Sequence, residues 1–193
     1  MNKVIDLPLI LASKSPRRKK LLKQIGLTFK VIPSEVDENF DIELSPSEFV
    51  SHYAKKKADS IAKKYPGYYV IGADTIVVYN EQILGKPNSK TESYEMLSLL
   101  SGKIHKVYTG VSIQHNDFKV NKTFYDVTDV SFNTLSDKDI YYYIKFYNPY
   151  DKAGSYGIQD FFSVHVNKIN GCFYNVMGFP LSSFYYHFCK IIK

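Results

Sequence analysis

Two arginines stand side by side in the stretch ASKSPRRKK, residues 12–20, and they are the only arginines among 25 basic residues. Ser15 suits a helix N-cap and Pro16 a first helical position, so Arg17 and Arg18 fall in the first turn of a helix. A positive side chain there faces the positive end of the helix dipole. A bound anion reverses that penalty: helix N-termini offer free amides, and a guanidinium fork grips phosphate oxygens at two points. Ser13 and Ser15 add hydroxyl donors. The plain alternative is a solvated basic turn with no ligand.

Four further positions break their local pattern. Lys57 falls inside the apolar stripe formed by Phe49, Tyr53, Ala54, Ala58 and Ile61, where a lysine either snorkels or faces a polar cleft. Asp74 interrupts an apolar run from Val70 to Val78, and a carboxylate there costs free energy unless it is paired or metal-bound, or lies in a turn or bulge. Lys86 is held between Gly85 and Pro87 at a hairpin exit. In DKAGSYGIQ, residues 151–159, small residues permit close backbone approach, and Gln159 offers an amide donor and acceptor. With Glu35, Asp37 and Glu38 in an acidic loop, oxygen ligands for a hard cation are available. Four cations, carboxylates and a reading amide make the inventory for a nucleoside triphosphate with a divalent metal. No GxxxxGK[ST] or GxGxxG motif occurs, and none of the five histidines has zinc-like spacing.

The elements that must position these residues follow from pattern. Strands are expected over residues 7–12 and 28–32, and an apolar β run over 68–79 around Gly72-Ala73-Asp74. Further strands are expected at 107–113, 124–132, 164–169 and 173–176. Helices are expected at 16–25, 46–65, 89–100 and 136–146, and from about Pro180 onward. Early alternation with later paired strands indicates an α/β or α+β protein with a mixed sheet, read as one domain over 1–193 with two lobes. The 45% hydrophobic and 23% charged composition fits a globular protein. A net charge of +6 permits a polyanionic partner, but the lysines are scattered and form no nucleic-acid arm. Cys172 and Cys189 read as reduced thiols of a cytoplasmic protein, and no apolar run reaches the ~18 residues of a membrane span.

Six fragments, in order, resemble the Maf family of nucleoside triphosphate pyrophosphatases, once described as septum formation proteins. They are LASKSPRRKKLL, GADTIVV, GKP, LSGKIHKVYTGVSI, DKAGSYGIQ and INGCFYNVMGFPL. The resemblance implies a mixed, strongly twisted sheet flanked by helices, with a cleft between two lobes, akin to the inosine triphosphatases. It implies hydrolysis of a nucleoside triphosphate to the monophosphate and pyrophosphate with a divalent cation, Mg²⁺ or Mn²⁺. Carried over by position, Asp74 matches the proton acceptor. Ser13, Arg17, Arg18, Lys57 and Lys86 match phosphate-contacting positions, and Glu38, with Asp74, matches the metal-holding acid. Arg17, Thr75 and Gln159 match positions that set base preference. The intact SPRR and Gln159 resemble the dTTP/UTP branch: a glutamine amide can accept from a pyrimidine N3–H and donate to a carbonyl, whereas a glutamate only accepts. The alternatives are the same chemistry on 7-methyl-GTP or inosine-type nucleotides, or a non-catalytic nucleotide- or nucleic-acid-binding regulator of cell division. The resemblance is compatible with a homodimer, and implies neither a stable nucleic-acid partner nor a membrane. Asp160-Phe161-Phe162-Ser163 and Phe179 depart from the family's small residues and leucine at those places.

Overall fold

The computed structural model describes residues 7–40 and 42–192. In chain order the elements are β1 Leu9–Leu11, α1 Pro16–Gln24, β2 Lys30–Val31, α2 Pro46–Ala62, β3 Tyr69–Tyr79, β4 Gln82–Leu84 and α3 Lys90–Leu100. Then come β5 Ile104–His115, β6 Val120–Phe132, α4 Asp137–Tyr147, β7 Val166–Asn170, α5 Phe173–Val176 and α6 Leu181–Ile191, with short 3₁₀ turns between α4 and β7. The seven strands form one mixed sheet in the order β2-β1-β3-β5-β6-β7, with β4 also on β3. Pairing is parallel for β1 with β2 and β3, and antiparallel elsewhere. The expected mixed α/β class is the one observed. Among the described residues, no helix is long and apolar enough to cross a membrane.

The central strand β3 decides where the site falls. One of its edges pairs with β5 continuously from Val70 to Val78. Its other edge is divided: β1 pairs with Tyr69–Ile71, and β4 with Val77–Tyr79. Residues 72–76 lie where one neighbour has ended and the next has not begun, so the sheet forks there. The β3–β4 turn that brings β4 back uses Asn80 (φ 47°) and Glu81 (φ 64°), the two positive φ angles that match the twist of a tight hairpin.

Period-two alternation along β3 separates two layers. Val70 packs with Ala58 and Ile61 of α2, and Ile76 and Val78 pack with Phe49, Val50 and Tyr53 of the same helix. Tyr69, Ile71 and Ala73 face the core that includes Phe179, Phe184 and Phe188. Val77 belongs to a third cluster with Leu97, Leu100, Phe132, Tyr143 and Phe162. Helix α2 lies directly on the sheet because two glycines admit it. A Cβ on Gly72 would stand 2.3 Å from the Ala54 carbonyl oxygen, and one on Gly110 2.2 Å from that of Val50.

Gly72 and Asp74 lie within one unbroken strand, so the alternative of a turn or bulge there does not hold. Two sequence expectations are corrected here. Residues 173–176 form a short helix, not a strand. There the buried Asn175 amide donates to the Val107 carbonyl (2.9 Å) and to Thr128 Oγ1 (3.0 Å), and these tertiary bonds override the β preference of the flanking aromatics. Gly178, at φ 100°, takes the chain away from that helix in a conformation few other residues adopt. The strand expected over 164–169 begins at Val166, because Phe161–His165 is a 3₁₀ turn.

Candidate active site

The fork in the sheet opens into a cleft of about 510 Å³. All nine site residues that the resemblance assigns line it: Ser13, Arg17, Arg18, Glu38, Lys57, Asp74, Thr75, Lys86 and Gln159. Glu35 and Asp37, of the same acidic loop as Glu38, are exposed and are not among its lining residues.

Helix α1 begins where β1 ends. The Ser15 hydroxyl accepts from the Arg18 amide (3.4 Å), and Ser13 Oγ accepts from the Ser15 amide (3.2 Å), so the two serines fix the turn that launches the helix. This aims the arginines differently. Arg17 Nη1 donates to Asp151 Oδ2 (2.6 Å) and Nη2 to the Asp151 carbonyl (3.0 Å). Arg18 Nε donates to the Gly178 carbonyl (2.9 Å), Nη1 to Ser13 Oγ (3.2 Å) and Nη2 to Thr75 Oγ1 (2.9 Å). A guanidinium carries five N–H donors. Arg17 therefore keeps three beyond these contacts and Arg18 two. Thr75 passes the connection inward: its Oγ1 is 3.0 Å from Thr109 Oγ1, which donates to the Asn175 carbonyl (3.2 Å).

The carboxylates meet on the opposite face of β3. Helix α2 starts from a complete capping box, Ser45 with Glu48, followed by Pro46. Its close approach over Gly72 brings Lys57 down to the sheet. Lys57 Nζ donates to Asp74 Oδ1 (2.6 Å) and to Glu38 Oε1 (2.5 Å). Lys57 is therefore not snorkelling: its side chain is 12% exposed and its ammonium bridges two acids. Asp74 is 2% exposed, and its Oδ2 is buried with no hydrogen-bond partner. Burial pushes the Asp74 carboxyl above its usual range; Lys57 pulls the other way, and the charge of Glu38 adds to the rise. Burial also works against the charge of Glu38, but the attraction and hydrogen bond of Lys57 hold its carboxyl below the ordinary range.

Lys86 and Gln159 are exposed on the cleft's rim. The Gly154 amide donates to the Gly85 carbonyl (2.9 Å), tying the segment that ends in Gln159 to the Gly-Lys-Pro turn. The two departures from the family pattern are structural. Phe179 is fully buried, its ring 5.0 Å from that of Phe184. Asp160 Oδ2 accepts from the Tyr143 hydroxyl (3.1 Å), and its Oδ1 accepts from the Phe162 amide (3.0 Å). That bond caps the turn that seats Phe162 in the core.

Sequence reasoning gave no role to Asp151, Thr109 or Asn175. Asp151 carried a signal, a carboxylate opening a glycine-punctuated segment. Thr109 carried none, since threonine is ordinary in a strand.

An orphaned buried carboxylate oxygen beside a second acid suits a hard divalent cation. Among the described residues, no cluster of three or more His, Cys, Asp or Glu side chains is gathered to hold one. The chain thus supplies two carboxylates, and oxygens of a bound phosphate or of water would complete such a shell.

The family model described as Maf-like protein matches residues 8–191. Relatives from Bacillus thuringiensis subsp. konkukian and Bacillus anthracis, both named dTTP/UTP pyrophosphatase, are 49% identical over 174 residues, covering 90% of this chain and 90% of each relative. Among solved structures, the Staphylococcus aureus Ham1 protein aligns with a TM-score of 0.44 and 19% identity over 65% of this chain and 71% of that one. The family match, spanning nearly every residue that builds the forked sheet and its cleft, shows that this chain belongs to the Maf family.

Proposed function

We propose that the cleft hydrolyses nucleoside triphosphates, with dTTP and UTP as its preferred class, to the monophosphate and pyrophosphate. The observation that carries this reading is Asp74: a nearly inaccessible carboxylate with one unpartnered oxygen, in a cleft that also presents Arg17, Arg18, Lys57 and Lys86. A surface that only bound polyanions would have no use for it. The names of the 49% identical relatives support the substrate class.

In this mechanism Asp74 Oδ2 takes a proton from a water whose oxygen bonds to the α-phosphorus. The bond from that phosphorus to the α–β bridging oxygen breaks, and pyrophosphate departs with the electron pair. The raised pKa of Asp74 makes its carboxylate a better proton acceptor than an exposed aspartate. The free N–H groups of Arg17 and the Lys86 ammonium hold the polyphosphate and offset its growing charge. Arg18 contributes its two remaining donors and, through Thr75 and Gly178, keeps the floor of the cleft in place. Lys57 neutralises the two acids in the free protein and provides a fourth cation when phosphate arrives. Asp74 and Glu38 would hold a divalent cation, Mg²⁺ or Mn²⁺, which supplies positive charge to the triphosphate oxygens. Gln159 reads the pyrimidine edge.

A panel of nucleoside triphosphates assayed for pyrophosphate with Mg²⁺ and with Mn²⁺ tests this reading. Pyrophosphate without orthophosphate, fastest from dTTP and UTP, is expected. Faster turnover of 7-methyl-GTP or inosine triphosphate would reassign the base. No turnover, with salt-dependent affinity for polynucleotide, would replace the enzyme by a binding protein.

A further inference from the structure

Of the two cleft acids that the mechanism above leaves idle, Asp160 is held by Tyr143 and the Phe162 amide, and Asp151 faces Arg17. The Asp151 carboxylate lies between two cations: Arg17 Nη1 at 2.6 Å from Oδ2, and Lys152 Nζ at 2.8 Å from Oδ1. Its carbonyl takes a second bond from Arg17 Nη2. Arg17 is therefore gripped on one edge by both the side chain and the backbone of a single residue, and its other N–H groups are left for a ligand.

The segment that carries Asp151 is built to stay where it is. Asn148 (φ 45°), Gly154 (φ 64°) and Ser155 (φ 63°) all hold left-handed backbone, and two of them are not glycine. Such conformations persist where surrounding contacts over-determine them. Here the Ser155 hydroxyl lies 2.5 Å from that of Ser93, and the Gly154 amide is bound to Gly85. A Cβ on Gly154 would reach 2.9 Å from a Val77 methyl. Lys152 is only 15% exposed, and its stem covers Gly157, so it too is fixed.

We infer that Asp151, anchored by Lys152, is a positioning residue that presents the guanidinium of Arg17 to the polyphosphate. It acts through Arg17 and does not itself touch substrate. This inference rests on the cleft being a nucleotide site. It assigns the opening of the DKAGSYGIQ segment a task distinct from the base-reading at its end.

The test is a double-mutant cycle on the full chain, with pyrophosphate release from dTTP as the readout. Asp151→Ala is expected to lower kcat/KM by about tenfold or more, up to the roughly 10²-fold that a misplacement of about 1 Å can cost. In an Arg17→Ala background the same change is expected to cost less than about twofold, because its only route of action is already gone. Asp151→Asn, of the same shape but without charge, repeats the cycle with the segment's packing intact. Where Arg17→Ala turns over too slowly to measure, the cycle is read as calorimetric affinity for dTTP in the Asp74→Asn chain. Additive losses would overturn the inference, as would an Asp151→Ala chain at least as active as wild type, which would make Asp151 a competitor of the phosphates. A wild-type chain that releases no pyrophosphate from any nucleotide would fail the proposed activity instead, and the dTTP affinity cycle would still decide the pairing.

Discussion

Burial works against the charged form of Asp74. Its raised pKa means that the folded state favours the neutral acid, so this residue's contribution to stability is full below the unfolded pKa of about 3.9 and is lost as pH rises through the folded value. At neutral pH, then, Asp74→Asn should melt at or above the wild-type temperature, measured by calorimetry, while losing turnover and keeping nucleotide affinity. A large fall in melting temperature would mean that the ion pair with Lys57 outweighs burial. The arginine pair divides in a comparable way. Arg17→Ala should reduce kcat/KM far more than Lys19→Ala, since Lys19 is exposed and is not among the residues that line the cleft. The residue types were readable in the sequence because each broke a pattern: arginine among lysines, a lysine in an apolar stripe, a carboxylate in an apolar strand. Their partners were not, because Lys57 meets Glu38 across 19 positions and Arg17 meets Asp151 across 134.

At the scale of elements, the seating of α2 on β3 and β5 sets the distance from Lys57 to Asp74. Gly72→Ala would place a methyl 2.3 Å from a backbone oxygen and 2.7 Å from a backbone nitrogen of α2, where no side chain can move aside. It should destabilise the fold by about 1–3 kcal/mol, the usual cost of overpacking, in urea denaturation. It should also lower kcat, because the helix that carries Lys57 must lift. Unchanged stability would show that the helix is not held by this contact. The helix starts were legible, since Ser15-Pro16 and Ser45-Pro46-Ser47-Glu48 state their caps in residue types. The role of Gly72 was not, because a glycine in a strand reads equally well as a bulge. Phe173–Val176 was misread because its helix is held by the Asn175 amide's contacts with β5 and β6, which no local pattern contains.

For the whole molecule, the clearest expected pH effect comes from outside the cleft. His105 is 2% exposed, its Nε2 is 2.8 Å from the Tyr156 hydroxyl, and burial lowers its pKa to about 4. The unfolded chain binds that proton near pH 6.5, so the stabilising contribution is present above that value and lost as pH falls through about 4, by up to about 3 kcal/mol. His105→Gln should flatten this part of the acid limb in urea unfolding; equal limbs would contradict the buried neutral ring. The mixed α/β class was legible from the alternation of early elements and the long paired strands that follow. The cleft was not. It exists because β1 and β4 share one edge of β3 and leave residues 72–76 between them, a fact of register that hydrophobic pattern does not encode.

The central claim is that water, deprotonated by Asp74, attacks the α-phosphorus. Hydrolysis of dTTP in ¹⁸O-enriched water, with the products read by mass spectrometry, tests it most directly. The label should enter the nucleoside monophosphate and not the pyrophosphate, and the Asp74→Asn chain should yield no labelled product. Label in the pyrophosphate, or turnover retained in Asp74→Asn, would contradict the account.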